Sequence, residues 1–188
     1  APGVQVEVAN LSADTARMLE TGEVDLALGF MPQLEAGFYQ QALFRQNYVC
    51  LASTDHPRIQ GGLSLAQFEA EEHAQVISSG TGHAYLDREV VQQKIERRVV
   101  LRVPNFLGVA FVVEHTNLIV TIPARLGDML SKHGRFRIYP VPFSIPGYTV
   151  KQFWHERFHH DPPNRWLRSL VRELLGDLAV EESATPGA

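Results

Sequence analysis

Cysteine is almost missing from this sequence. Cys50 is the single one in 188 residues, so no internal disulfide can form and the fold must rest on its core. It sits in the apolar run Tyr48-Val49-Cys50-Leu51-Ala52 and reads as a small buried hydrophobe in a reducing cytoplasm. Long apolar runs are missing too. Nothing approaches the roughly 20 apolar residues of a membrane helix, and no basic stretch leads into an apolar core as in a signal peptide. The expectation is a cytoplasmic chain with no membrane partner. Positive charge is in short supply, 17 Lys and Arg against 21 Asp and Glu for a net charge of −4. No field attracts a phosphate backbone, so this chain is not expected to bind DNA by itself. The glycines form neither G-x-G-x-x-G nor a P-loop, and no serine stands in G-x-S-x-G, so no nucleotide cofactor and no hydrolase elbow is indicated.

What is present is an apolar fraction of 45%, enough for one core or two small ones. Ala1-Pro2-Gly3 carries no initiating methionine and leads within three residues into an alternation, so the numbering is expected to begin inside a longer protein. Val4, Val6 and Val8 alternate with Gln5 and Glu7 as in a half-buried strand. Asn10 and Ser12 can cap a helix carrying Leu11, Ala16 and Leu19 that stops at Gly22, and Val24 to Phe30 follows as a strand, which together predict a βαβ unit. Strands are predicted over 38–44 and 48–53, then a turn at His56-Pro57 and a helix capped by Ser64. Strand and helix alternate again: strands over 74–78, 99–103, 118–122 and 136–141, and helices over 85–95, 107–114 and 123–132. A last strand over 148–154 precedes an amphipathic helix opened by Pro162-Pro163 and carrying Trp166, Leu167, Leu170, Val171, Leu174 and Leu175. The class is α/β. The tail, 181–188, is expected to be disordered.

The segment Ser78-Ser79-Gly80-Thr81-Gly82-His83 joins a predicted strand to a predicted helix. Ligands of open α/β sheets settle at such ends, where free N–H groups and a partial positive charge suit an anion. Hydroxyls, glycines and one histidine make this the best candidate site, for a carboxylate-bearing ligand, although the same residues serve ordinary capped turns. His155-Glu156-Arg157-Phe158-His159 fits H-E-x-x-H, but that motif binds zinc only on a helix. Here it follows a strand and precedes Asp161-Pro162, so no metal is expected. His115 and His133 flank predicted helix ends, where the dipole accounts for them. Phe106, Phe111, Trp154 and Trp166 read as core aromatics, any of which could stack on a ring ligand near a cleft.

Thr21-Gly22-Glu23-Val24-Asp25-Leu26-Ala27-Leu28-Gly29, then Tyr48-Val49-Cys50-Leu51 with Asp55-His56-Pro57, Ser64-Leu65 and Phe68, resemble successive landmarks of the LysR-type effector domain. Asn117 to Pro123, Phe153-Trp154-His155, Asp161-Pro162 and Trp166-Leu167-Arg168 extend the resemblance over nearly the whole chain. Phe38, Leu43-Phe44-Arg45, Thr81-Gly82-His83 and the Trp154 to Trp166 block resemble the subgroup of nodulation regulators and regulators of salicylate, naphthalene and nitrotoluene catabolism. The resemblance implies two Rossmann-like lobes of the periplasmic-binding-protein type joined by a two-strand hinge, with the first strand and helix of lobe I absent. Lobe I would span 1–72 and 147–180, and lobe II 73–146. It also implies an aromatic acid as effector, bound by Phe44, Gln46, Ser79, Gly80, Thr81, Gly82, His83, Asn105, Phe106 and Gln152. Thr81 and His83 would take its polar group, and Phe44 and Phe106 would wall it. Gln46 stands where salicylate-type sensors carry histidine, which implies an amide contact in place of a charged one. DNA would be reached only through an N-terminal winged helix-turn-helix that this chain lacks, within a homodimer or homotetramer. The alternatives are a periplasmic-type solute receptor and, at His155 and His159, a zinc hydrolase.

Overall fold

The structure, a computed structural model, describes residues 3–34, 36–77, 82–132 and 134–176. Two sheets organise them. The smaller holds β1 (Ala27–Gly29), β8 (Tyr148–His155) and β2 (Phe38–Gln46) in the order β1-β8-β2, all antiparallel. The larger runs β5-β4-β6-β3-β7, built from β3 (Tyr48–Ser53), β4 (Glu72–Val76), β5 (Arg98–Val103), β6 (Ile119–Pro123) and β7 (Phe136–Pro140). In it β4 is parallel to both β5 and β6, while β3 is antiparallel to β6 and β7. β6 is buried along Ile119 to Thr121 and Ile122, as its apolar run demands of a strand covered on both faces.

Helices close these sheets. α4 (Phe106–Glu114) and α5 (Ala124–Ser131) cover one face of the larger sheet over Leu51, Val76, Val109, Val113, Val120 and Ile122. α2 (Leu65–Ala70) covers the other, with Phe68 fully buried against Cys50, Ala52, Ile59 and Ile119. Its start is a capping box in which Ser64 Oγ accepts from the Gln67 amide and Gln67 Oε1 from the Ser64 amide, an arrangement worth about 1 kcal/mol. α1 (Thr15–Thr21), stopped at Gly22, packs Leu19 onto Ala27 and Phe153 of the smaller sheet. α6 (Pro162–Leu175) opens with Asp161 accepting from the Asn164 amide, and Asn164 in turn donates to the Asp25 carbonyl at 2.7 Å. α3 (His83–Gln92) lies between the two sheets' ends through Leu86 and Val90.

Three expectations do not hold. Val4, Val6 and Val8 form no strand and are 51%, 78% and 89% exposed, so there is no βαβ unit at the start. Alternation marks a strand's faces but supplies no neighbour for its backbone, and β1 is paired with β8 alone. The boundary at 72 moves as well. β3, expected in the first lobe, lies inside the larger sheet, so the chain leaves the smaller sheet at Asn47 and re-enters it at Tyr148. An apolar run buried on both faces fits either sheet, and periodicity carries no pairing. Phe111 at 68% and Trp166 at 43% exposure are surface residues, not core. After β8 ends at His155, Glu156–Phe158 forms a 3-10 turn whose cap is His155 Nδ1, accepting from the Arg157 amide. The tail at 181–188 and His133 lie outside the described residues, and His115 caps α4 with Nδ1 2.9 Å from the Phe111 carbonyl.

Candidate functional site

The chain crosses between sheets twice at one place, where Gln46 pairs with Tyr148 across β2 and β8. Aromatic rings from both sheets meet there. Phe30, just past β1, lies 5.2 Å from Tyr148 and 6.3 Å from Tyr85 of α3, and Tyr148 lies 5.4 Å from Tyr48 of β3. Ring contacts in this range add attraction beyond burial.

Gly82 and His83, singled out in the sequence, sit in the middle of this cluster. Gly82 precedes α3 at φ +75, and its carbonyl accepts from the Tyr48 hydroxyl at 2.7 Å. A Cβ there would lie 2.6 Å from Tyr48 Oη and 2.8 Å from Tyr148 Cε1, so only glycine fits this packing. His83 is 3% exposed, with its ring 5.2 Å from Phe106 and 6.4 Å from Tyr48. Its Nε2 lies 3.2 Å from the Thr121 carbonyl of β6, and since a carbonyl only accepts, this nitrogen carries the proton. Burial pushes the Tyr148 phenol up to about 12, and burial reinforced by Tyr148, Tyr85 and Asp87 raises Tyr48 further. Both are neutral donors around pH 7.

The other expected site residues divide. Gln46 is 5% exposed, at the crossing itself, and Phe106 opens α4 beside His83. Phe44 is half-buried on β2, with the Arg125 guanidinium 3.9 Å above its ring. Asn105 is engaged as the cap of α4, its Oδ1 accepting from the Gly108 amide at 2.9 Å. Gln152 lies apart from the cluster. It is fully buried on the smaller sheet, its Nε2 donating to Gln41 Oε1 at 2.6 Å and to the Arg168 carbonyl at 3.2 Å, with its Oε1 unpartnered. The alternation of β8 puts it on the face under α6. Ser79, Gly80 and Thr81 lie outside the described residues.

Sequence reasoning passed over Phe30, Tyr48, Thr121, Arg125 and Tyr148. Arg125 had a signal: it stands two residues past the carboxyl end of β6, in the first turn of a helix, the position where α/β folds place ligand contacts. The aromatics had none, since each comes from a different element. Among the described residues no group of three or more His, Cys, Asp or Glu side chains could hold a metal ion. A cavity of about 310 Å³ beside α6, lined by residues including Trp154, His159 and Arg168, shares no residue with this cluster.

The model of the LysR substrate binding domain matches residues 1–176. The transcriptional activator NagR of Ralstonia sp is 36% identical over 178 residues, covering 94% of this chain and 59% of that protein. NahR of Pseudomonas putida is 36% identical over 170 residues, covering 90% of this chain and 57% of that protein. The chain thus spans less than three-fifths of the length of these two relatives. A probable transcriptional regulator from Pseudomonas aeruginosa, at 27% identity, superimposes with a TM-score of 0.76 over 91% of this chain and 55% of its own. The two-sheet arrangement is therefore the two-lobed, periplasmic-binding-protein-like architecture of these regulatory domains.

Proposed function

The chain belongs to the LysR substrate binding domain family, and from that premise we propose that it senses a small aromatic carboxylate at the crossing between its two sheets. One observation carries the reading. The Gly82-His83 start of α3 is enclosed by rings from both sheets, so a ligand seated there touches both and favours one relative orientation. Phe106 and Phe44 offer flat apolar walls. The first turn of α3 and the Arg125 guanidinium provide positive potential for a carboxylate, and the Gln46 amide provides a neutral contact. Thr81, expected to share the polar group with His83, and Ser79 and Gly80 beside it complete the proposed lining.

No bond is made or broken in this scheme, and no cofactor takes part. Binding energy is spent on an equilibrium between lobe orientations, and a ligand contributes only what it gains in one orientation over the other. We infer that this bias is passed to DNA through a winged helix-turn-helix of the family's kind, in a homodimer or homotetramer located in the cytoplasm. In this chain no described helix is long and apolar enough to cross a membrane.

Calorimetric titration with salicylate and benzoate tests the site. Saturable one-to-one binding is expected, weakened about tenfold or more by His83→Ala, the equivalent of about 1.4 kcal/mol. Absence of binding by every aromatic acid, or binding indifferent to His83→Ala, would refute the assignment.

A further inference from the structure

We propose that the cavity beside α6 is a second ligand site, one that takes a small doubly charged oxyanion of the phosphate or dicarboxylate kind. It has a volume of about 310 Å³, and Arg165, Arg168 and Arg172 line it together with His159 and Trp154. Spacings of three and four residues stack the three guanidiniums along one face of α6, where like charges repel. No carboxylate is among the lining residues, and among the described residues neither Arg165 nor Arg172 has an acidic group within ion-pair distance.

Arg168 is the anomaly that points to a ligand. Its residue is only 9% exposed, yet its guanidinium meets neutral acceptors alone: the Phe158 carbonyl at 3.3 Å, the His159 carbonyl at 2.8 Å and the Asn164 side chain. Buried charges are ordinarily paired with an opposite charge. These bonds, and the Trp154 ring 4.3 Å beneath, hold the fork in place. Asp161, the acidic group nearest in effect, accepts from the Asn164 amide at the start of the helix.

The neighbouring histidine is prepared in the same sense. The Trp154 indole N–H donates to His159 Nδ1 at 3.2 Å, which leaves the ring proton of neutral His159 on Nε2, a further donor. His159 is held below its ordinary range by burial, then by the charges of His160, Arg168 and Arg165, and Arg168 is lowered by burial and by Arg165. A bound anion relieves this crowding. Two flanking guanidiniums, each able to bind an oxyanion bidentately, match two negative charges better than one.

The test is a titration of the chain with inorganic phosphate, succinate and acetate, followed by heteronuclear NMR at the Trp154 indole and His159 ring. Phosphate or succinate is expected to shift both signals saturably and to raise the His159 titration midpoint, with acetate about tenfold weaker or more. Whichever of the two binds more tightly identifies the source of the charge. The double variant Arg165→Gln, Arg172→Gln, both on the exposed side of α6, is expected to weaken binding about tenfold or more, while His83→Ala leaves it unchanged. Shifts that never saturate, or that persist equally in the double variant, would overturn the proposal.

Discussion

Replacing Gly82 with alanine tests the packing at the crossing. At φ +75 an L-residue with a Cβ costs about 1–2 kcal/mol in backbone energy. The new methyl would also fall 2.6 Å from Tyr48 Oη, 2.8 Å from Tyr148 Cε1 and 2.9 Å from Tyr148 Cζ. Both rings are 6% exposed or less, so neither can swing into solvent, and overpacking of this kind adds about 1–3 kcal/mol. The two terms give a loss of roughly 2–5 kcal/mol. Gly134 supplies the control: it stands at φ +72 with nothing within 4 Å of an added Cβ, so its alanine variant incurs the backbone term alone. Urea denaturation of the two variants separates the contributions, and Gly82→Ala combined with Tyr48→Phe should recover part of the loss by removing the nearest atom. Equal losses in Gly82→Ala and Gly134→Ala would refute the argument, because the surroundings of Gly82 would then contribute nothing.

Two further predictions concern acid. Burial pushes His73 from 6.5 down to about 4, so the folded chain holds it neutral while the unfolded chain takes up a proton near 6.5. Stability is therefore complete above that value and declines as pH falls toward 4, by up to about 3 kcal/mol, and His73→Gln should flatten the slope measured by denaturation at stepped pH. Glu71, buried beside His56, is held below the usual carboxylate range mainly by hydrogen bonds from Arg58, at 2.8 Å from Nε and 2.5 Å from Nη2. Its contribution is present above the unfolded carboxylate's range and is lost as pH falls through the folded value. Arg58→Ala should thus move acid unfolding to higher pH; an unchanged acid midpoint would show that the pair does not govern Glu71.

Much of the fold was legible because the second half of the chain alternates apolar strands with amphipathic helices, and each expected element there is found within a few residues. Capping residues were legible as well, Ser64 above all, since a cap is a local interaction. Pairing was not. Val4 to Val8 has the alternation of a strand without a neighbour, and the Tyr48 to Ser53 run carries nothing that assigns it to one sheet. In the aromatic cluster, Gly82 and His83 stood out in the sequence because a strand-to-helix turn with glycine and histidine has chemical meaning by itself. Phe30, Tyr48 and Tyr148 did not, because 118 positions separate the first from the last and only the two crossings at Asn47 and Tyr148 unite them. Gln152, named only through the family resemblance, stands apart from these rings: it bonds to Gln41 and the Arg168 carbonyl beneath α6.

The most direct test of the central claim is a chemical-shift map of the chain titrated with salicylate. The account predicts saturable shifts concentrated at Tyr48, Gly82, His83, Phe106 and Tyr148, from both sheets at once. Shifts confined to one sheet, or centred on Trp154 and Arg168 beside α6, would contradict it.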